Sequence, residues 1–241
     1  MSAQEIRSFV ESWCEAGESF AVALLTETWA SAPRRPGARF AVSGSGEIAG
    51  NVSAGCVEAD LSLRLEALLS GVPSEFVEYG VSDEQASGVG LSCGGRLRLF
   101  LRRGACDDPV STCLHSCLDT GETSILVTLL NPGANQRWVL DGSGTPLATT
   151  ASEPVPPVAV EAALDLLGSG GARVVRTDAG VDLFVEVFLP PRRLVVVGGT
   201  PVGASLARLV ASTIFTSRFA IPAGPAWPAR CGPGSRQRPG A

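Results

Sequence analysis

The chain has 241 residues and a formal net charge of -5 at pH 7, with 45% hydrophobic and 18% charged residues. This is the make-up of a globular protein with material for one large core or two smaller ones. The acidic balance argues against general nucleic-acid binding, no apolar run reaches the roughly 18 residues a membrane span needs, and the absence of lysine excludes Schiff-base and phosphate-loop lysine chemistry.

The N-terminus, MSAQEIRSFVESW, is acidic and amphipathic and lacks the basic start and apolar middle of a signal peptide. A cytoplasmic address is therefore expected. Apolar positions at Ile6, Phe9, Val10 and Trp13 predict a helix over Ala3 to Ala16. Phe20 to Trp29 is apolar and β-branched and predicts a buried strand. Pro33, Pro36 and Gly37 make Ser31 to Gly37 a loop. Two short strands, Arg39 to Val42 and Glu47 to Val52, should flank the Gly44-Ser45-Gly46 turn. A helix follows from Cys56 to about Leu69.

Phe76 to Tyr79 predicts a strand and Ser82 to Ser87 a turn or short helix. Arg96 to Arg102 alternates apolar and basic residues, the period of a half-buried strand. Helices are expected at Pro109 to Leu118 and Pro156 to Leu167. Strands are expected at Ser124 to Leu130, at Trp138 to Leu147 with a glycine-rich turn, and as a pair at Arg173 to Arg176 and Leu183 to Leu189. Pro190-Pro191 reads as a stiff linker. Behind it come an apolar strand, a Gly198–Gly203 turn and a helix. The order of elements predicts a mixed α/β fold: a mostly antiparallel N-terminal domain with flanking helices, residues 1–189, then a Rossmann-like strand–helix unit, residues 192–211. The stretch 212–241 shows no periodicity and no second apolar strand ending in an acidic residue, and is expected to be a disordered tail left by an interrupted domain.

The chemistry gathers in two stretches. Cys56 follows Gly55 at a helix start, where unsatisfied backbone N–H groups favour an anion and can lower a thiol's pKa. Glu58 in the first turn suits the same dipole, and Ser53 or Asn51 can cap the turn. Cys93 sits among Gly90, Gly94 and Gly95, which let backbone approach a ligand closely. Arg34 and Arg35, with Arg39 nearby, offer guanidinium forks for phosphate or carboxylate. Two thiols with basic residues suit a soft-metal centre carrying an anionic organic group, although each cysteine also fits a small buried hydrophobe or tight turn. Seven cysteines, an odd count, argue against a disulfide framework in a cytoplasmic chain. Cys113 and Cys117 share one helix face, while His115 points elsewhere, so CLHSC does not form a three-ligand site. In Gly198-Gly199-Thr200-Pro201-Val202-Gly203 the middle glycine of the dinucleotide fingerprint is Thr200, so NAD(P) is not expected to bind.

Taken in order, SAPRRPGARFAV, GEIAGNVSAGCVEADL, YGVSDEQASGVGLSCGG and the VEVFLPPRRLVVVGG junction resemble the XdhC/CoxI family of xanthine dehydrogenase accessory proteins. The resemblance is close over Phe20 to Arg103 and looser over Leu183 to Val210. It implies a molybdenum-cofactor chaperone rather than an enzyme. Such a protein would hold the molybdopterin form transiently, protect it during sulfuration by a cysteine desulfurase and deliver it to a molybdenum hydroxylase apoenzyme. It places the cofactor and metal contacts on Cys56 and Cys93, and the residue chemistry read above adds Gly55, Gly94, Gly95, Arg34 and Arg35 as groups to hold the cofactor's phosphate. The family's glycine pair before the first cysteine is Ala54-Gly55 here. Two other readings stand beside this one, a nicotinamide-dependent oxidoreductase and a truncated, non-functional fragment. The oligomeric state is open, with a homodimer among the options.

Overall fold

The computed structural model describes residues 3–80, 95–133, 135–190, 193–197, 201–211 and 216–220. The expected elements over 82–87 and 198–200 lie outside them. The chain divides into two compact units, Met1–Leu189 and Pro190–Ala241. No described helix is long and apolar enough to cross a membrane.

The first unit runs α1 (Ala3–Glu15), β1 (Phe20–Trp29), β2 (Arg39–Ser43), β3 (Ile48–Gly50), α2 (Glu58–Leu69), β4 (Glu75–Tyr79) and β5 (Arg96–Arg103). It continues with α3 (Pro109–Thr120), β6 (Ser124–Leu129), β7 (Arg137–Asp141), β8 (Pro146–Thr149), α4 (Pro157–Leu166), β9 (Gly171–Arg176) and β10 (Asp182–Phe188). The expected strand at Trp138 to Leu147 is thus a hairpin of two strands. The strands form two five-stranded antiparallel sheets, ordered β3-β2-β1-β5-β4 and β8-β7-β6-β10-β9. This is the mixed, mostly antiparallel α/β fold expected.

The two sheets are copies of one pattern. Each half is helix, three strands, helix, two strands, with the same strand order. The halves also share sequence at the first hairpin: Arg39-Phe40-Ala41-Val42-Ser43-Gly44-Ser45-Gly46 matches Arg137-Trp138-Val139-Leu140-Asp141-Gly142-Ser143-Gly144. The turns close alike, Gly46 N–H onto Ser43 O at 3.0 Å and Gly144 N–H onto Asp141 O at 3.1 Å. Gly44 lies against Ser19 as Gly142 lies against Thr123. Register extends the match. Leu24 pairs with Arg39 and Phe100; Thr128 pairs with Arg137 and Phe184. One row on, Val22 faces Arg102, and Leu126 faces Glu186.

Alternation along the strands decides the layers. Ala21, Ala23, Leu25, Phe40, Val42, Leu97, Leu99 and Leu101 face α2 and bury its Leu61, Leu65 and Leu68. On the second sheet Ile125, Val127, Leu183 and Val185 face Ala159 and Ala163 of α4. The opposite faces of the two sheets meet, packing Leu24 and Phe100 with Leu130 and Phe184. Beside this contact, α1 covers Phe20, Val22 and Ala41, and α3 covers Leu126 and Val139. The order is therefore α2, sheet, sheet, α4, with α1 and α3 wedged between the inner faces.

This arrangement corrects one expectation, that Arg39 groups with Arg34 and Arg35. The half-buried period of β5 is kept, with Leu97, Leu99 and Leu101 buried, Arg96 exposed and Arg98 and Arg102 half-buried. Arg98 lies between the sheets, paired with Glu27 at 3.0 Å and set over the Phe76 ring. Arg39 likewise turns inward, because Phe40 and Val42 take the α2 side. It forks onto Glu186 of β10 with bonds of 3.0 and 2.6 Å, both side chains buried.

A second correction concerns the cysteines. Cys14 and Cys106 form a disulfide across 92 residues, with Cα atoms 5.4 Å apart. The register explains it: Ala21, near the start of β1, pairs with Arg103 at the end of β5. The segments flanking those residues, the end of α1 and the turn into α3, are thereby brought together.

In the second unit, α5 (Pro201–Ala211) stands between β11 (Arg193–Val197) and β12 (Thr216–Ala220), which pair in parallel. A second strand is thus present where the sequence predicted none, since TSRFA is too polar and too short to register as an apolar strand.

The buried Arg39–Glu186 pair makes the inter-sheet contact asymmetric in its tolerance. Removing one partner strands a buried charge, whereas removing both does not. Arg39→Met is expected to cost about 3–5 kcal/mol, and Arg39→Met with Glu186→Met to recover most of that. Urea unfolding of both variants checks it, and equal destabilisation by the two would contradict the pairing.

Candidate functional site

Of the predicted site residues, Gly95, the Gly55-Cys56 turn and the loop carrying Arg34 and Arg35 are described, and they lie toward one end of the first sheet. There β1 ends at Trp29, β5 begins at Arg96 and β4 ends at Tyr79, since Trp29 pairs with Arg96 and Tyr79 with Leu97. The Arg96 guanidinium sits 4.3 Å from the Trp29 ring centre. The first turn of α2 is pinned to the same end: the Tyr79 hydroxyl donates to Asp60 at 2.6 Å, and Arg64 donates to the same carboxylate at 2.8 Å. Burial pushes the Asp60 carboxyl up, but the Tyr79 and Arg64 bonds outweigh it, so its pKa is lowered.

Gly95 closes this end. It is buried, and a Cβ on it would lie 2.1 Å from the carbonyl oxygen of Ser31. Only glycine fits there, so the chain leaving the second cysteine motif presses on the start of the arginine loop. Cys93 and Gly94 themselves lie outside the described residues. Arg34 is half-buried and Arg35 exposed in the loop that returns to β2. Ala32 and Cys56 pack against the same α2-side core. Arg39, grouped with Arg34 and Arg35 in the sequence, is not part of this end, because it faces the opposite side of the sheet.

The turn before α2 differs from expectation in one respect. Its backbone N–H groups are aimed at Glu58. Val52, Ser53, Gly55 and Val57 all donate to that carboxylate at 2.8–3.2 Å, and the Ser53 hydroxyl adds a bond of 2.6 Å. Ser53 Oγ in turn accepts from Cys56 N–H at 3.1 Å. An internal carboxylate therefore fills the anion seat that a helix start commonly offers a ligand, and α2 itself begins at Glu58 rather than Cys56. Gly55, at φ +101°, is there for the turn: a Cβ on it would touch nothing within 4 Å. Ala54 adopts φ +113°, a conformation that favours glycine. The residues of the clasp, Ser53 and Glu58, are plain in the sequence, but read locally Glu58 serves only the helix dipole.

On α3, His115 turns to α1, with Nδ1 3.3 Å from Glu11 Oε1, while Cys113 and Cys117 pack along the other face. Burial, then the Cys113 thiol, pushes Cys117 up. Among the described residues no three His, Cys, Asp or Glu side chains group as a metal site.

Two outcomes are expected at the clasp. Ala54→Gly relieves the backbone strain and should raise stability by about 1 kcal/mol, read as a higher denaturation midpoint. Burial pushes Glu58 up, but bonds from the Ser53 hydroxyl and from the Ser53 and Val52 amides outweigh it and lower its pKa. A lowered folded-state value stabilises above the ordinary carboxylate range and is lost as pH falls through it. Glu58→Ala should thus cost about 2 kcal/mol at pH 7, with the gap to wild type closing as pH drops below that range. A gap independent of pH in thermal unfolding would refute this.

Comparison with known proteins agrees with the fold. The model of the XdhC and CoxI family matches residues 13–80. A probable xanthine dehydrogenase subunit of Bacillus subtilis (strain 168) is 24% identical over 221 residues, which is 87% of this chain and 61% of that protein. A crystal structure described as a xanthine dehydrogenase from Bacillus halodurans shares the fold, with a TM-score of 0.62 and 18% identity over 91% of this chain and 62% of that one. The chain spans about three-fifths of the length of both. The family match covers the arginine loop, the Ala54-Gly55-Cys56 turn and the whole of α2, and over residues 13–80 the resemblance to the XdhC and CoxI family is borne out.

Proposed function

We propose that the chain is a molybdenum-cofactor chaperone, an accessory protein without turnover of its own. It would hold the molybdopterin form as cargo, protect it while a cysteine desulfurase adds sulfur, and pass it to a molybdenum hydroxylase apoenzyme such as xanthine dehydrogenase, in the cytoplasm. The observation that carries the reading is the close seating of Gly95 on Ser31. It joins the strand entry just after Cys93 to the loop bearing Arg34 and Arg35, at the end where Cys56 leads into α2.

The donor set suits this cargo. A thiol is a soft ligand for a metal already bound by sulfur, and guanidinium forks suit a phosphate. The backbone amides of the Cys56 turn are spent on Glu58, so in this reading the anionic part of the cargo would go to Arg34 and Arg35. The cargo supplies all of the metal chemistry. The chain's part is to bind, orient and exclude water.

One observation favours a second reading. The parallel pairing of β11 with β12 around α5 makes a complete strand–helix–strand unit, the setting in which nucleotides bind. Saturable titration of the full chain with NAD(H) or NADP(H) would favour that reading.

The first reading predicts that purified molybdenum cofactor co-elutes with the full chain on gel filtration. Cys56→Ala or Cys93→Ala should weaken retention about tenfold or more, near 1.4 kcal/mol. Equal retention by wild type and the double variant sinks it.

A further inference from the structure

Exchanging the two halves of the first unit maps one buried pair onto another pair, of which Arg137 is buried and Arg102 half-buried. Arg39 corresponds to Arg137, each opening the second strand of its sheet, and Glu186 corresponds to Arg102, each one row from the central phenylalanine. The pair Arg39–Glu186 is a neutralised bidentate contact. Its counterpart, Arg137 with Arg102, brings two cations together. Arg137 takes its counter-charge from elsewhere, the carboxylate of Asp108 at the start of α3, and its Nε has no hydrogen-bond partner among the described residues although the side chain is 4% exposed. The hydrogen bonds of Arg102 go to two neutral oxygens, Arg103 O at 3.2 Å and Asn135 Oδ1 at 3.4 Å.

These residues open onto a cleft of about 490 Å³ between α1 and α3. Its walls come from both halves, with Val22 answering Leu126 and Val10 answering Leu114, and Glu11 meets His115 at its rim. Arg39, Arg102 and Arg137 all line it, against two buried carboxylates, Glu186 and Asp108. Among these inner groups one positive charge is left over, while at the rim Arg7 is paired with both Glu11 and Asp119. Arginine does not shed its proton in proteins, and burial together with the guanidiniums of Arg137 and Arg39 disfavours the charged form of Arg102 strongly. A half-buried guanidinium whose hydrogen bonds go only to neutral oxygens, beside a buried one with an unpartnered Nε, is a seat for an anion.

We propose that this cleft binds a small organic anion, its phosphate or carboxylate head held by Arg102 and Arg137 and its apolar body lying between Val22, Leu114 and Leu126. The guanidinium forks match either oxyanion. The volume fits a small ligand and exceeds what a bare oxyanion fills. The cleft lies on the face of the first sheet opposite α2 and Cys56. It is thus a site separate from that of the proposed cargo.

The test is thermal unfolding of the full chain at constant ionic strength, with chloride replaced stepwise by inorganic phosphate, phenyl phosphate or phenylacetate. A saturable rise in Tm is expected, larger with a phenyl group than with inorganic phosphate, and the better of the two phenyl compounds identifies the head group. Arg102→Glu restores in this half the charge pairing that Glu186 gives the other. It should raise Tm without ligand and abolish the response, and Arg102→Met should abolish the response with no ion pair formed. No saturable response to any of the three anions, or an undiminished response in Arg102→Met, overturns the proposal. Neither outcome depends on molybdenum-cofactor binding, so the two readings fail separately.

Discussion

The fold depends on how two copies of a five-stranded sheet meet face to face. A single fork, Arg39 onto Glu186, joins the second strand of one copy to the last strand of the other, 147 residues away. Around it Leu24, Phe100, Leu130 and Phe184 close the dry part of the contact. The ion pair stabilises little by itself, because taking both charges out of water costs about as much as their attraction returns. Its effect is on alternatives. A shift of one residue in either sheet would point Arg39 or Glu186 at the wrong layer and leave a charge buried alone.

The same geometry explains why the two halves serve different ends. Each half has one helix on the outer face of its sheet, α2 or α4, and one on the inner face, α1 or α3. In the first half the outer helix begins at a tight turn clasped by Glu58, and the sheet end beside it gathers the arginine loop, Gly95 and Cys56. In the second half α4 begins at Pro156-Pro157 with no side-chain cap, and no comparable clasp forms. The inner faces diverge as well. One of two corresponding positions holds a carboxylate, Glu186, and the other a guanidinium, Arg102. The two halves share one frame, and at corresponding positions one half holds a neutralised contact and the other a charged cleft.

Much of this was legible locally. The strands and helices of the first unit follow from apolar period, proline and glycine, because each buries one face against a neighbour and polar residues mark the other. Gly95 was legible as a close-approach glycine, and Cys56 as a residue at a helix entrance. The repeated hairpin RFAVSGSG and RWVLDGSG was also present in the sequence. It is short and flanked by divergent segments, so only the shared strand order makes it evident.

What the sequence by itself determined was the set of elements and which stripe of each is apolar. Those depend on backbone preferences and on burial along one segment, so they need no knowledge of partners. Only tertiary structure decided what the polar stripes do. Arg98 and Arg102 alternate with apolar residues just as a solvated strand face would, yet Arg98 lies between the sheets and Arg102 lines the cleft between α1 and α3. Glu58 reads as a dipole partner but takes the amides that an anion would have used, and Cys14 meets Cys106 because two strand ends align. Charges and thiols act through whatever lies across a layer or a turn from them, and that neighbour is set by packing rather than by spacing along the chain.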